Sequence, residues 1–387
     1  MALAGVAVAV LERNEERTAH SRAMGMHART VKVLAMRGAQ EPFLAAGRPL
    51  DNWHWGLSPS RLAFRALDTP YPFMLGIPQA LTEALLEDRA RNLGVPVERG
   101  CAVTGLHESA DEVTVDVDGR RMTAAYVVGC DGPDSVVRRE ARIDFTGTGT
   151  TLVGLVADVV LDDPPPPGFS QVTAAGAVFV APAPGGLFRI GGYDPLHQDA
   201  DLALGPAEVR EFLVRTSGRD FGLRQVVWAS RFGNATRQAR AYRSGRVLLA
   251  GDAPHAHFPT GGVGLNTGVQ DAMNLGWKLA AVVRGRVPQS LLDTYHSERH
   301  PVAAAVGTDT QAQTAMLTAI TPEGLALREA VAALIAAPSP MNRMLAEQVT
   351  ALNVAYPPAD PDAHPLVGRR APASEKLFGS MHAGEPS

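Results

Sequence analysis

A carboxylate and a glycine loop stand close together in one stretch of the chain: Gly251-Asp252, then Pro259-Thr-Gly-Gly-Val-Gly-Leu-Asn266. Asp252 follows Val247 to Ala250, a short apolar run of the kind that forms a buried parallel strand. Gly251 lets the backbone turn at the strand's carboxyl end, where open α/β sheets bind ligands. Pro259, Gly261, Gly262 and Gly264 leave almost no side-chain bulk, so backbone N–H groups can approach a ligand closely. Leu265 and Asn266 open a helix, and a helix N-terminus behind a glycine loop suits a phosphate or the polar edge of a heterocycle. Its apolar positions Leu265, Val269, Ala272, Met273, Gly276, Leu279 and Val283 keep a helical period, so this stripe is expected to face the core. For the glycines alone, a tight strand–helix turn with no ligand is the competing reading.

Two other constellations carry less. His255 and His257 would face one side of a strand, but no further His, Cys or carboxylate completes a metal set, so no metal is expected. Asp252 with His255 suggests part of a hydrolytic triad, yet no Gly-x-Ser-x-Gly elbow supplies a nucleophile.

The remaining chain must position these groups. Val6 to Leu11 reads as a strand ended by Glu12, and Thr30 to Arg37 as a helix closed by Gly38. Residues 50 to 75 hold Trp53, Trp55, Phe64, Tyr71 and Phe73, which suit either a pocket for a flat ligand or ordinary sheet core. Leu81 to Asn92 is a helix and Val95 to Val103 a strand. Glu112 to Val117 alternates, and Asp118-Gly119 supplies a hairpin turn. From about Phe145 to Trp228, short alternating runs such as 153–161, 177–180 and 186–192 predict an antiparallel sheet, with a helix over Pro206 to Arg215. Pro322 to Val354 is largely helical.

At 387 residues the chain is long enough for two domains. Its net charge of -4 does not suggest a nucleic-acid surface. Two cysteines, Cys101 and Cys130, form no disulfide framework, which fits a reducing cytoplasm. No apolar run is long enough to span a bilayer.

The Gly251-Asp252 turn and the 259–266 loop together resemble the second FAD motif of the flavin-dependent aromatic hydroxylases, the para-hydroxybenzoate hydroxylase-like group. Three further stretches match that family. They are Ser21-Arg22-Ala-Met-Gly-Met-His-Ala-Arg29-Thr30, Asp131-Gly-Pro-Asp-Ser135-Val-Val-Arg138 after an apolar strand, and Tyr295-His-Ser-Glu298-Arg299-His-Pro301. The likeness is nearest to the rifampicin and polyketide hydroxylases.

The resemblance implies an α/β fold: a Rossmann-like FAD-binding domain, an inserted antiparallel-sheet substrate domain and a helical C-terminal segment. The expected boundaries are 1–145 with 238–310 for FAD, 146–237 for substrate and 311–355 for the helices. Residues 50–78 are expected to contribute to the substrate sheet, and 356–387 to begin a shortened third domain. No Gly-x-Gly-x-x-Gly precedes Val6, so the first strand and phosphate loop are expected to be missing.

For the site, the resemblance implies that Asp252 binds the ribitol chain of FAD, with Pro259, Gly261, Gly262, Gly264, Leu265 and Asn266 along the flavin and pyrophosphate. Glu12 would take the adenosine ribose, and Arg22 would sit close to the flavin and its phosphates. Gln79 would face the ribitol region and Val103 the adenine. Asp131 would touch cofactor largely through structure, although it can be read as a helix cap instead. The Tyr295–Pro301 run is taken as structural. The implied reaction is hydroxylation of an aromatic or polyketide-type substrate with NAD(P)H and O2, through a flavin C4a-hydroperoxide. No catalytic base is identified, and a homodimer is left open. The alternatives are another flavin oxidoreductase on this scaffold and an inactive remnant that binds ligand without catalysis.

Overall fold

Asp118 and Gly119 both adopt positive φ, 46° and 81°, and close the hairpin between strands Val113–Val117 and Arg120–Ala124. A two-residue hairpin turn demands that geometry, and glycine meets it without steric cost. Val113, Val115 and Val117 point inward and are buried, as strand alternation requires. These elements belong to a computed structural model that describes residues 1–358, 360 and 362–371.

The apolar run before Gly251 forms the strand Val247–Leu249, paired in parallel with Val127–Gly129. Val247, Leu248 and Leu249 are buried against Leu275, Leu279, Tyr242 and Tyr295. A second parallel pair, Val10–Glu12 with Val97–Arg99, forms a separate sheet. The strand expected over residues 6–11 is thus shorter and later, and Ala2–Ala4 forms a 3-10 turn closed by Gly5 at φ 72°. The strand expected over 95–103 is broken at Gly100, whose φ is 67°. Val103 therefore pairs antiparallel with Val117 and leaves the parallel pair that holds Glu12.

Residues 153–233 build a five-stranded antiparallel sheet in the order Ser170–Thr173, Gly176–Pro182, Phe188–Tyr193, Val153–Leu161, Leu223–Gly233. The helix Pro206–Ser217 covers it, burying Val209, Phe212 and Leu213 against Leu155, Val159, Val178 and Ile190. Gly192 permits the close strand approach here, because a Cβ would meet the Ala177 carbonyl oxygen at 2.0 Å. The chain enters this sheet through Phe145–Thr148 and leaves it through Thr236–Ala239, and these two segments pair with each other.

Residues 50–78 do not add a strand to that sheet, contrary to expectation. Met74–Gly76 pairs with Gly25–Met26 and Arg48–Leu50, and Asn52–Trp53 pairs with Leu62–Ala63. Their contact with the large sheet is through side chains: Leu57 packs with Ala177, and Arg61 donates to the Gly168 carbonyl.

The helix Gly264–Val283 buries a different face from the apolar stripe expected of it. Asn266, Gln270, Asp271, Asn274 and Lys278 are buried, while Val283 is 39% exposed. The reason is the neighbouring helix Asp293–Leu317, which brings charge to meet charge. Glu298 accepts from Lys278 Nζ at 2.7 Å and from Asn274 Nδ2 at 2.6 Å, and Arg299 pairs with Asp271.

Helices Pro322–Ile335 and Pro340–Val349 follow, packing Ile335, Leu345 and Val349 against Ala28, Leu62 and Phe64. Of the 356–387 segment expected to open a third domain, 359, 361 and 372–387 lie outside the described residues. Among the described residues, no helix is long and apolar enough to cross a membrane.

Candidate functional site

Gly251 turns the chain at φ 68° and leaves Asp252 exposed at the end of its strand. Gly268 lets the following helix approach this turn, since a Cβ there would lie 3.1 Å from Gly251 Cα. The buried Asp271 carboxylate ties the turn from below. It accepts from the Gly251 N–H at 3.3 Å, from His255 Nε2 at 2.6 Å and from Arg299 Nε at 2.7 Å. His255 is therefore engaged with a carboxylate beneath the turn.

The glycine loop is docked by its carbonyls. Gly261 and Gly262 have φ of 74° and 67°, and Pro259 precedes them as an exposed residue. The Gly261 carbonyl accepts from His27 Nε2 at 2.9 Å and from Trp53 Nε1 at 3.1 Å. Thr260 donates its hydroxyl to the Thr310 carbonyl at 3.1 Å. Asn266 is 2% exposed and serves as an internal tie: its Oδ1 accepts from the His27 N–H at 2.7 Å, and its Nδ2 donates to the Gly262 carbonyl at 2.8 Å. Gly264 starts the helix, and Leu265 packs beside Met26 and Leu75. Burial lowers the His27 pKa to about 4, so its ring is neutral and its Nε2–H is free to donate.

Gln79 and Arg22 come together across 57 residues of sequence. The Gln79 Oε1 accepts from the Arg22 N–H at 3.2 Å and from the Ala23 N–H at 3.0 Å. Ser21 accepts from the Ala80 N–H at 3.0 Å, which completes the tie. Gln79 thus holds the backbone under Arg22, whose side chain is exposed. Glu12 accepts from the Asn14 N–H at 2.9 Å, and the Cys101 N–H reaches the Glu12 carbonyl at 2.9 Å, which leaves Val103 two residues further on.

Ser135 is the N-cap of the helix Val136–Glu140, accepting from the Arg138 N–H at 2.9 Å, and Asp131 supports that cap: its Oδ2 accepts from the Val137 N–H at 3.1 Å, and its Oδ1 accepts from the Ser135 hydroxyl. Arg138 carries this segment to the Asp252 turn, donating to the Ala253 carbonyl at 2.6 Å. Replacing Asp131 by Ala should cost about 1 kcal/mol of stability through its lost bonds to the Val137 N–H and the capping Ser135 hydroxyl. Urea unfolding checks this, and a loss below a few tenths of a kcal/mol would exclude that supporting role.

Three residues of this arrangement were not singled out for a ligand site in the sequence, His27, Asp271 and Arg299, while Trp53 was read only as pocket lining or sheet core. Arg299 lies in the Tyr295–Pro301 run taken as structural, and its buried pairing with Asp271 shows what that run holds. Asp271 lies outside the apolar stripe read for its helix.

An exposed carboxylate at a strand end, two left-handed glycines and the start of a long helix fit a flavin nucleotide. The loop's bonds run inward through its carbonyls; Gly261 packs against Gln313, and at Gly262 a Cβ would meet nothing nearer than 3.9 Å. Comparison with known proteins agrees. The model of a family described as FAD binding domain matches residues 1–310. An uncharacterized aromatic compound monooxygenase from Bacillus subtilis is 45% identical over 99% of this chain and 80% of its own length. Rifampicin monooxygenase from Streptomyces venezuelae is 41% identical over 99% of this chain and 82% of its own. The structure of an anhydrotetracycline hydroxylase from Streptomyces rimosus superposes with a TM-score of 0.86 at 42% identity, over 96% of this chain and 76% of that one. The chain belongs to the FAD-binding family of flavin-dependent aromatic monooxygenases.

Proposed function

We propose that this protein hydroxylates a polycyclic aromatic or polyketide-type substrate with NAD(P)H and O2. The observation that carries the reading is the Gly251-Asp252 turn and the docked 259–262 loop, both held by buried ties. The names of the relatives, which include rifampicin and anhydrotetracycline enzymes, support the substrate class. When bound, FAD would supply the redox chemistry that passes electrons from NAD(P)H to O2, the source of the inserted oxygen atom. The chain's own part is to bind, orient and exclude water.

In this reading Asp252 accepts hydrogen bonds from the ribitol hydroxyls. Pro259, Gly261, Gly262, Gly264 and Leu265 border the ring and pyrophosphate, with Asn266 fixing their path. Arg22 offers a guanidinium fork to phosphate or flavin, and Gln79 sets its backbone. Glu12 takes the adenosine ribose, and Val103 borders the adenine. Asp131 acts through the helix cap it supports. The 153–233 sheet covers the substrate.

The visible absorption spectrum of the purified chain, before and after adding FAD, tests this directly. A protein-shifted flavin band is expected, with NAD(P)H oxidation stimulated by rifampicin or a tetracycline-type phenol. Asp252→Ala should weaken FAD binding by about tenfold or more, the loss of one or two hydrogen bonds to a charged acceptor. A chain that stays colourless with excess FAD overturns the reading.

A further inference from the structure

A buried ion pair in the five-stranded sheet lies outside the ties described above. Asp158 and Arg189 face each other in register on neighbouring strands, and Trp228 stands opposite Asp158 on the other side. The pair is bidentate: Arg189 Nε donates to Asp158 Oδ1 at 2.8 Å and Nη2 to Oδ2 at 2.7 Å. Arg189 is 4% exposed and Asp158 9%. Asp158 in the otherwise apolar strand Val153–Leu161 and Arg189 in the neighbouring strand Phe188–Tyr193 are poor stabilisers of a sheet, because burial costs about as much as pairing returns.

The third arm of the guanidinium shows what else the pair does. Arg189 Nη1 leaves the sheet and donates to the backbone carbonyl of Arg22 at 3.3 Å. Beside it, the Trp228 ring lies 5.8 Å from the Arg189 guanidinium and stacks on His20, with centroids 5.4 Å apart and planes at 13°. The three-residue rank therefore grips the His20–Arg22 segment from the sheet side. Gln79 grips the same segment from the other side.

We propose that Asp158, Arg189 and Trp228 are positioning residues. They clamp the His20–Arg22 segment to the substrate-side sheet and so fix where the Arg22 guanidinium stands relative to the cofactor. Asp158 aims the Arg189 fork and cancels its charge, which otherwise would repel Arg22. The clamp makes the sheet and the cofactor-facing arginine move as one body. Its cofactor half rests on the role proposed for Arg22. The clamp itself rests on geometry alone.

The test uses the full chain without FAD, then with it. Arg189→Lys keeps the charge but loses the fork and the third arm. Trp228→Leu removes the stack and leaves the ion pair intact. Trypsin cleavage after Arg22, followed by mass spectrometry, reads the freedom of the segment. Urea unfolding reads the fold as a whole. In Arg189→Lys, cleavage after Arg22 should rise about tenfold at an urea midpoint close to that of the unaltered chain, because the segment opens locally. Trp228→Leu should give a smaller rise of the same sign, and FAD should bind more weakly to both, by flavin fluorescence. Unchanged cleavage after Arg22 in both variants overturns the clamp, and so does a rise that merely follows global unfolding. If the unaltered chain binds no FAD, the cofactor role of Arg22 falls, while the cleavage comparison still decides the clamp.

Discussion

Asp271→Asn should destabilise the fold by about 3–5 kcal/mol, the usual cost of stripping one partner from a buried ion pair. Asp271 and Arg299 are both 0% exposed, so no water takes over the lost interactions. Burial pushes the Asp271 carboxyl up, but His255 and Arg299 outweigh it and hold the group below the usual carboxylate range. Burial likewise lowers the Arg299 pKa, and Asp271 reverses this. An amide at 271 would keep one acceptor, now uncharged, against three donors, and its own NH2 would face one of them. The Arg299 guanidinium would remain buried without a counter-charge. The Gly251 N–H would compete for the same oxygen, so the turn that presents Asp252 should loosen and FAD binding should weaken with it.

Urea unfolding at pH 7 checks the stability, and a loss under about 1 kcal/mol would refute the argument. The double change Asp271→Leu with Arg299→Met is the informative control, because removing both charges should cost much less than removing one. The linkage has a definite sign. A carboxyl lowered in the folded state contributes stability above the unfolded value near 4, and that contribution is lost as pH falls through the folded value.

Acidification should weaken the protein through His27 in a higher window. His27 is 1% exposed, and burial lowers its pKa from 6.5 to about 4, against a small opposing contribution from the hydrogen bond to Gly261. Its Nδ1 is buried with no partner, so protonation would create a donor with nothing to meet it. Between pH 6.5 and about 4 the unfolded chain takes up a proton that the folded chain refuses. Stability therefore falls as pH falls across that window, by roughly 3 kcal/mol from this group, and levels off below it. His54, stacked on Trp53 and lowered to about 3 chiefly by burial, acts in the same direction.

The check is to compare His27→Gln with the unaltered chain in urea at pH 7.5 and 4.5. The variant should start less stable, because the Gly261 carbonyl and the loop lose a tie. Its further loss on acidification should be smaller by about 2–3 kcal/mol. Equal losses in the two proteins would show that His27 does not set the acid sensitivity.

Much of the site's outline was legible from residue order alone, because it rests on local rules. A left-handed turn at Gly251, the hairpin at Asp118-Gly119 and the short apolar strand Val247–Leu249 each depend on a few neighbouring residues. The helix read over Pro206 to Arg215 forms as Pro206–Ser217, and the run Val153–Leu161 forms the strand read for it. Periodicity failed on the Gly264–Val283 helix, because it ranks residues by hydrophobicity one at a time. Asp271, Asn274 and Lys278 count as solvated until Glu298 and Arg299 arrive from the next helix.

The same limit hid the ties that hold the glycine loop and the His20–Arg22 segment. His27 reads as one polar residue before a helix, and only folding sets its Nε2 on the Gly261 carbonyl, 234 positions away. Gln79 and Arg189 reach the Arg22 backbone from 57 and 167 residues away. Sequence by itself determined the backbone turns and most of the strand and helix periods, since φ preference and alternation are properties of adjacent residues. Tertiary structure alone decided which polar groups are buried and what they hold, since a desolvated charge is stable only beside the partner that the fold delivers.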